Sequence, residues 1–205
     1  MTDYFAVLNE PRRPWLDAER LKGKFLSLSA EWHPDRAHSA NEEQKKSAQQ
    51  RFALLNSAWQ CLREPKDRLR HLLELESGLA PKTIDRAPAE SMNLFLEIGQ
   101  LSQKVDAFLA ERAKTASPLL KAQLFERGLE WTDRLQAVQR QLQTRHEALL
   151  SELKAVDATW DQVPLESLSR AEHLPLDRLE RLYRELSYLT RWAAQIQERI
   201  VQLSL

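Results

Sequence analysis

The chain of 205 residues has little of several residue types on which particular folds and functions depend. Its single cysteine, Cys61, excludes an intramolecular disulfide and any metal site built from several cysteines. The four glycines are isolated, so there is no glycine-rich phosphate-binding loop. Only ten residues are Val or Ile, and no segment shows sustained alternation of apolar and polar residues, so strands have little support. The sequence therefore predicts an all-α fold.

The charges of the chain balance, with 30 Lys and Arg against 30 Asp and Glu. A net charge of zero provides no global field that would attract nucleic acid or an anionic membrane, so neither is expected as a partner. No apolar run approaches the ~20 residues that span a bilayer. Met1-Thr2-Asp3 does not open a secretion signal, and a cytoplasmic protein is expected.

The sequence offers no catalytic or metal-binding constellation. No nucleophile is accompanied by a recognisable base or acid–base partner. His33, Asp35 and His38 are close in sequence, but their spacing matches no helical ligand pair or zinc pattern. We therefore expect no catalytic residue, no metal ligand and no cofactor, and the chain is not expected to be an enzyme.

Two amphipathic helices are predicted in the first third of the chain, from Ala18 to Trp32 and from about Glu42 to Arg63. Asp17 suits the N-cap of the first helix, Pro34 ends it, and Pro65 stops or restarts the second. The apolar stripes are Leu21, Phe25, Leu28 and Trp32 in the first helix and Phe52, Leu55, Trp59 and Leu62 in the second. Such helices would pair antiparallel and display His33-Pro34-Asp35 at an exposed tip.

The rest of the chain predicts a second domain. Gly78, Pro81 and Pro88 mark a linker, and we place the domains at 1–80 and 81–205. Three further helical stripes predict an antiparallel three-helix bundle. They comprise Leu94, Ile98, Leu101, Val105 and Phe108; Leu120, Leu124, Trp131, Leu135, Val138, Leu142, Leu149 and Leu153; and Leu179, Leu182, Leu186, Leu189, Ala193, Ile196, Ile200 and Leu203. The stretch 156–175 is expected to form a loop or helical turn that covers one end of this bundle.

The first domain resembles a J-domain, the module that recruits and activates DnaK-type ATPase chaperones. The resemblance comprises the tripeptide and its flanking helices, together with Asp3-Tyr4-Phe5, Leu8, Arg36, Asn56, Ala58, Trp59, Leu62, Pro65 and Arg68. It implies that the tip docks on the chaperone, with Asp35 engaging a cation there. The chaperone-binding residues would then be His33, Pro34, Asp35 and Arg36, with Lys22 and Lys24 supplying positive charge from the preceding helix.

Further segments are similar to the HscB type of J-protein, which serves iron-sulfur cluster assembly. The similarity comprises the early Asp-Tyr-Phe, the run 67–75 that leads to Gly78, Thr144-Arg145-His146 and Thr159-Trp160-Asp161. This resemblance implies a DnaK/HscA-type chaperone and an IscU-like iron-sulfur scaffold protein as partners. The chain would deliver the scaffold to the chaperone and trigger its ATPase.

The same resemblance implies a scaffold-binding surface on the first helix of the second domain. Phe95, Leu96 and Glu97 match positions that grip the scaffold in the HscB family, whereas Gln100 stands where the family has an acid. Phe95 and Leu96 could alternatively cover the J-domain or the linker, since contacts between domains use the same type of surface.

Two other functional hypotheses stay open on the sequence. The strict steps of three and four along the last stripe also suit a coiled-coil arm, which would dimerise a J-domain protein serving a different client. A J-like domain used only for binding would stimulate no ATPase, which the intact tripeptide disfavours. Since bundle helices show the same periodicity, a monomer is expected.

Overall fold

The computed structural model describes residues 1–33, 41–81, 91–160, 162–163 and 170–204. This part of the chain contains helices and no strand, which confirms the all-α prediction. The helices are α1 Tyr4–Val7, α2 Ala18–Glu31, α3 Glu42–Arg63, α4 Pro65–Ser77, α5 Met92–Lys114, α6 Pro118–Trp160, α7 Arg170–His173 and α8 Leu176–Ser204.

Local signals in the sequence determine where the first helices begin and end. The carboxylate of Asp17 accepts a hydrogen bond from the backbone N–H of Arg20 at 2.8 Å, which caps α2 as predicted. Asn41 and Gln44 form a reciprocal capping box at the start of α3. Pro65 occupies the first turn of α4, where its missing N–H costs nothing. Gly78 then ends α4 with a φ of 72°, a left-handed conformation that glycine adopts without strain.

The predicted hairpin of α2 and α3 is present. The rings of Phe25 and Trp59 stack with centroids 4.8 Å apart, and His33 meets Phe52 at 5.6 Å, so the two helices run antiparallel. Apolar side chains from α1 to α4 form one core beneath the hairpin. Its most completely buried members are Phe5, Leu8, Leu21, Leu55, Ala58, Leu62, Leu69 and Leu72.

Helices α5, α6 and α8 form the predicted three-helix bundle. Arg127 of α6 binds Glu111 of α5, and residues around 134 of α6 lie beside residues around 101 of α5, so these helices are antiparallel. Gln139 bonds to Gln197 at 3.0 Å and Arg145 to Glu185, which makes α6 and α8 antiparallel as well. The order is therefore up, down, up.

The chain divides into two compact units, each of which takes part of α6 and part of α8. The N-terminal unit comprises Met1–Lys82 and Glu152–Tyr183, and the bundle unit comprises Thr83–Ser151 and Arg184–Leu205. The cut at 80/81 stays a prediction for the end of the J-domain. The expectation for 156–175 holds only in part: α7 is a helical turn, but Val156 to Trp160 continue α6, and the described residues belong to the N-terminal unit and not to the bundle unit.

Buried polar contacts hold the segment 152–183 within the N-terminal unit. Asp157, whose side chain is 8% exposed, accepts hydrogen bonds from Arg13 Nε at 2.9 Å and from the backbone N–H of Trp15 at 3.0 Å. The indole N–H of Trp160 donates to the carbonyl of Arg12 at 2.9 Å. Arg170 pairs with Glu76 at 3.0 Å, with both side chains nearly inaccessible. These partners are 94 to 148 residues apart in sequence, which hides them from pattern analysis.

The apolar seam of α8 lies inside the units. Leu179, Leu182, Leu186, Leu189 and Ile196 are each at most 3% exposed. The seam is therefore not available as the surface of a coiled-coil dimer. Leu120, assigned to the seam of α6 by its spacing, is half exposed instead, so that assignment is wrong.

Among the described helices, none combines the length and apolar character needed to cross a bilayer.

Candidate functional site

The tip of the hairpin begins at His33, directly after the C-cap of α2. His33 is exposed, and the edge of its ring contacts Phe52 of α3, which fixes where the imidazole lies. An open groove of about 440 Å³ beside it is lined by Glu31, Trp32, His33, Gln44, Ser47, Ala48 and Arg51. The predicted partners Pro34, Asp35 and Arg36, and also His38, lie outside the described residues.

Arg51 is a cation of this groove that pattern analysis did not single out. It is exposed on α3, one turn after Ser47, and lines the groove together with His33. Its position directly before Phe52 was the available signal, because a residue next to an apolar stripe lies at the edge of the helix interface. Arg51 adds positive charge next to the imidazole.

The two lysines predicted to bind the chaperone differ in their surroundings. Lys22 is exposed on α2. Lys24 instead binds the buried carboxylate of Glu10 at 2.9 Å and donates to the carbonyl of Asn9. Arg20 also bonds to Glu10, at 2.5 Å, and this hydrogen bond raises the pKa of Arg20. Glu10 therefore offsets part of the positive charge on α2, which leaves Lys22 as the better exposed of the predicted lysines.

The predicted scaffold-binding residues share an exposed surface of α5. Phe95 is 41% and Leu96 52% exposed, and Glu97 and Gln100 are exposed as well, whereas Ile98 is buried. Phe95 rests on Trp192 of α8, with ring centroids 5.9 Å apart, and Trp192 in turn contacts Tyr188 at 5.4 Å. The aromatic support from α8 was not predicted, because Trp192 flanks the seam residues Leu189 and Ala193 instead of belonging to them.

Two titratable groups, the buried His71 and the half-buried Cys61, lie beneath the other end of the hairpin. His71 of α4 accepts a hydrogen bond at Nε2 from the backbone N–H of Tyr4 at 3.1 Å, and burial lowers its pKa. The half-buried thiol of Cys61 donates weakly to the carbonyl of Asp67, and burial raises its pKa to about 11. A protonated thiol is a poor nucleophile, so Cys61 acts as a small core side chain. Within the described ranges no three His, Cys, Asp or Glu side chains come together as a metal site.

Comparison with known proteins identifies the N-terminal part. The DnaJ domain model matches residues 3–71, which include α1 to α3, the hairpin tip and the first half of α4. Residues 3–71 of the chain therefore form a DnaJ domain.

The whole chain also has the fold of solved HscB co-chaperones. Chaperone HscB from Vibrio cholerae is 21% identical, with 98% of this chain and 99% of that chain covered and a TM-score of 0.56. The human co-chaperone protein HscB is 19% identical, with 98% of this chain and 81% of that chain covered and a TM-score of 0.55. The likeness includes the bundle as well as the J-domain, so the architecture is of the HscB type.

Proposed function

We propose that this protein is a cytoplasmic, monomeric co-chaperone that stimulates the ATPase of a DnaK/HscA-type chaperone and delivers an IscU-like iron-sulfur scaffold protein to it. The observation that carries the proposal is an exposed His33 at the tip of a DnaJ hairpin, within a chain that has the HscB fold over 98% of its length. The ATPase belongs to the chaperone, and the cluster travels as cargo on the scaffold.

The hairpin suits the first task because it presents His33 from a rigid support. The capped ends of α2 and α3, the Phe25–Trp59 stack and the contact with Phe52 restrict the backbone and the ring before binding. A preordered contact loses less conformational entropy on docking than a flexible loop does.

The first prediction is that His33→Gln abolishes ATPase stimulation and leaves the helical fold intact. The imidazole is exposed and contributes little to the core, so the free energy of unfolding should change by less than ~0.5 kcal/mol. A single-turnover ATPase assay with the cognate DnaK/HscA-type chaperone measures stimulation, and circular dichroism checks the fold. His173→Gln, which changes an exposed histidine of α7, serves as the control and should stimulate normally. Full stimulation by His33→Gln would refute the proposed docking role of the tip.

The surface of α5 suits the second task. Exposed Phe95 and Leu96 are apolar side chains that the bundle leaves partly uncovered, and Trp192 supports the ring of Phe95 from below. An aromatic side chain that is exposed yet held in place is a favourable anchor for a protein partner. Glu97 and Gln100 would add polar contacts at the edge of this surface.

The second prediction is that Phe95→Ala weakens binding of the scaffold protein by about tenfold and leaves scaffold-independent ATPase stimulation unchanged. Isothermal titration with the IscU-like protein of the same organism measures the affinity. Phe125→Ala is the matched control, because Phe125 is exposed on α6 but does not belong to the α5 surface. Equal affinities for wild type and Phe95→Ala would remove Phe95 from the binding site.

A further inference from the structure

A groove between α5 and α6 adjoins the surface of α5 proposed to bind the scaffold. It has a volume of about 270 Å³ and is lined by Glu97, Gln100 and Lys104 from α5 and by Trp131, Arg134 and Val138 from α6, among others. All of these residues belong to the bundle unit. Because Glu97 and Gln100 also belong to the α5 surface, a partner on that surface would reach the groove.

The two cations of the groove have no acidic partner among the described residues. Three other arginines of the bundle unit are paired with carboxylates: Arg127 with Glu111 at 2.9 Å, Arg145 with Glu185 at 2.5 Å and Arg199 with Asp106 at 2.7 Å. Lys104 and Arg134 make no such ion pair within the part of the chain that the structure describes. The groove therefore presents two positive charges that the bundle itself leaves uncompensated.

Arg134 is held in place by an aromatic ring instead of a carboxylate. Its guanidinium carbon lies 4.9 Å from the centre of the half-buried Trp131 ring, within the range of a cation–π contact. A guanidinium on a ring face keeps its N–H donors at the edge of its own plane, where a carboxylate can accept two of them. The stack thus prepares Arg134 for an anionic partner and reduces the entropy lost on binding.

The two ends of the groove carry opposite charges. Glu97 and Lys104 are seven residues apart on α5, which corresponds to about 10 Å along the helix. A partner side chain with a negative charge is attracted at the Lys104 and Arg134 end and repelled at the Glu97 end. An extended acidic segment of a partner can therefore enter in one register.

We infer that this groove binds an acidic segment of the scaffold protein, with an Asp or Glu carboxylate between Lys104 and Arg134. The inference rests on the proposed function, because it assigns the groove to the same client as the surface of Phe95 and Leu96. It extends the proposed scaffold-binding surface from α5 to α6. In the ion pairs with Lys104 and Arg134, the scaffold protein supplies the carboxylate.

The test is titration calorimetry of the full-length chain with the IscU-like scaffold protein of the same organism. Arg134→Gln and Lys104→Gln should each weaken binding by about tenfold at low salt, and Arg134→Lys should lose less because it keeps the charge. Arg140→Gln is the control, since Arg140 is exposed on α6 but does not line the groove. Added salt should weaken wild-type binding more than that of the Lys104→Gln, Arg134→Gln double variant.

The outcomes separate this inference from the proposed function. If the wild type binds the scaffold and Arg134→Gln and Lys104→Gln bind equally well, the groove inference is wrong and the α5 surface is unaffected. If Arg140→Gln loses as much affinity as the groove variants, the effect is one of net charge and the inference is overturned as well. If the wild type binds no scaffold protein, the assignment of the scaffold as client and the groove inference are both wrong.

Discussion

Asp157 gives the sharpest test of how the N-terminal unit is held together. Its carboxylate accepts hydrogen bonds from Arg13 Nε at 2.9 and 3.1 Å, from Arg13 Nη2 and from the backbone N–H of Trp15 at 3.0 Å. No other described side chain joins the segment before α2 to the C-terminal half of α6 through as many hydrogen bonds. We predict that Asp157→Ala destabilises the N-terminal unit substantially.

The magnitude follows from what the substitution leaves behind. The N–H of Trp15 loses its acceptor, which costs about 1–3 kcal/mol if water does not replace it. Arg13 loses its counter-ion, but its side chain is 25% exposed and water compensates for part of the loss, so this adds only about 1 kcal/mol. We therefore expect the free energy of unfolding to fall by about 2–4 kcal/mol. With a urea m-value of about 2 kcal/mol/M, the midpoint should fall by about 1–2 M.

Urea unfolding followed by circular dichroism measures the loss, and hydrogen exchange with mass spectrometry locates it. Amides of α1, α4 and the segment 152–160 should lose protection, while those of α5 should not. Glu172→Ala is the control, since this acidic residue of the same unit is exposed, and its effect should stay within ~0.5 kcal/mol. A change for Asp157→Ala of less than ~0.5 kcal/mol would contradict the structural role assigned to this carboxylate.

Two further predictions concern the buried His71 and the half-buried Cys61. Burial lowers the pKa of His71 below its ordinary 6.5, so its contribution to stability is present above that value and is lost as the pH falls towards the folded-state pKa. Urea midpoints measured from pH 8 to pH 5 should show this loss of stability, and His71→Gln should remove the part of the pH dependence that comes from His71. If His71→Gln has the same pH dependence as the wild type, the buried neutral state assigned to His71 is wrong. Burial raises the pKa of Cys61 to about 11 from 9.0, so iodoacetamide at pH 8 should react about tenfold more slowly with the folded than with the urea-unfolded chain, because the lower thiolate fraction outweighs the higher nucleophilicity of a more basic thiolate. Equal rates would show that the thiol is not protected.

Features that depend on neighbours in sequence were predictable. The N-cap of α2 at Asp17 and the span of α3 from Glu42 to Arg63 agree with the structure, since capping residues, prolines and apolar spacing act over a few residues. The bundle was predictable for the same reason: its stripes are long and regular. The half-exposed Leu120 shows the limit of spacing, because it lies in the first turn of α6, before the buried part of the seam begins at Leu124.

Features that depend on distant partners were not predictable. Lys24 was predicted to offer its charge to a chaperone, and only the structure shows that the buried carboxylate of Glu10 binds it, after Asn9 turns the chain with a φ of 52°. The placement of 152–183 in the N-terminal unit depends on Arg13 meeting Asp157, which is 144 residues away. Neither pairing produces a periodic pattern in the sequence, because each is a contact between two single side chains and not a repeated spacing.

The groove between α5 and α6 also depends on residues that are far apart in sequence, and this affects how the scaffold-binding surface should be defined. Lys104 and Arg134 are 30 positions apart, and each alone is an ordinary surface cation. They share a groove only because α6 packs antiparallel on α5 in a register that brings both residues to its lining. A shift of α6 by two residues would rotate Arg134 by about 200° and remove it from the groove. The charge that a partner encounters on this side of the bundle is therefore a property of the helix register, and it cannot be deduced from the residues of α5 alone.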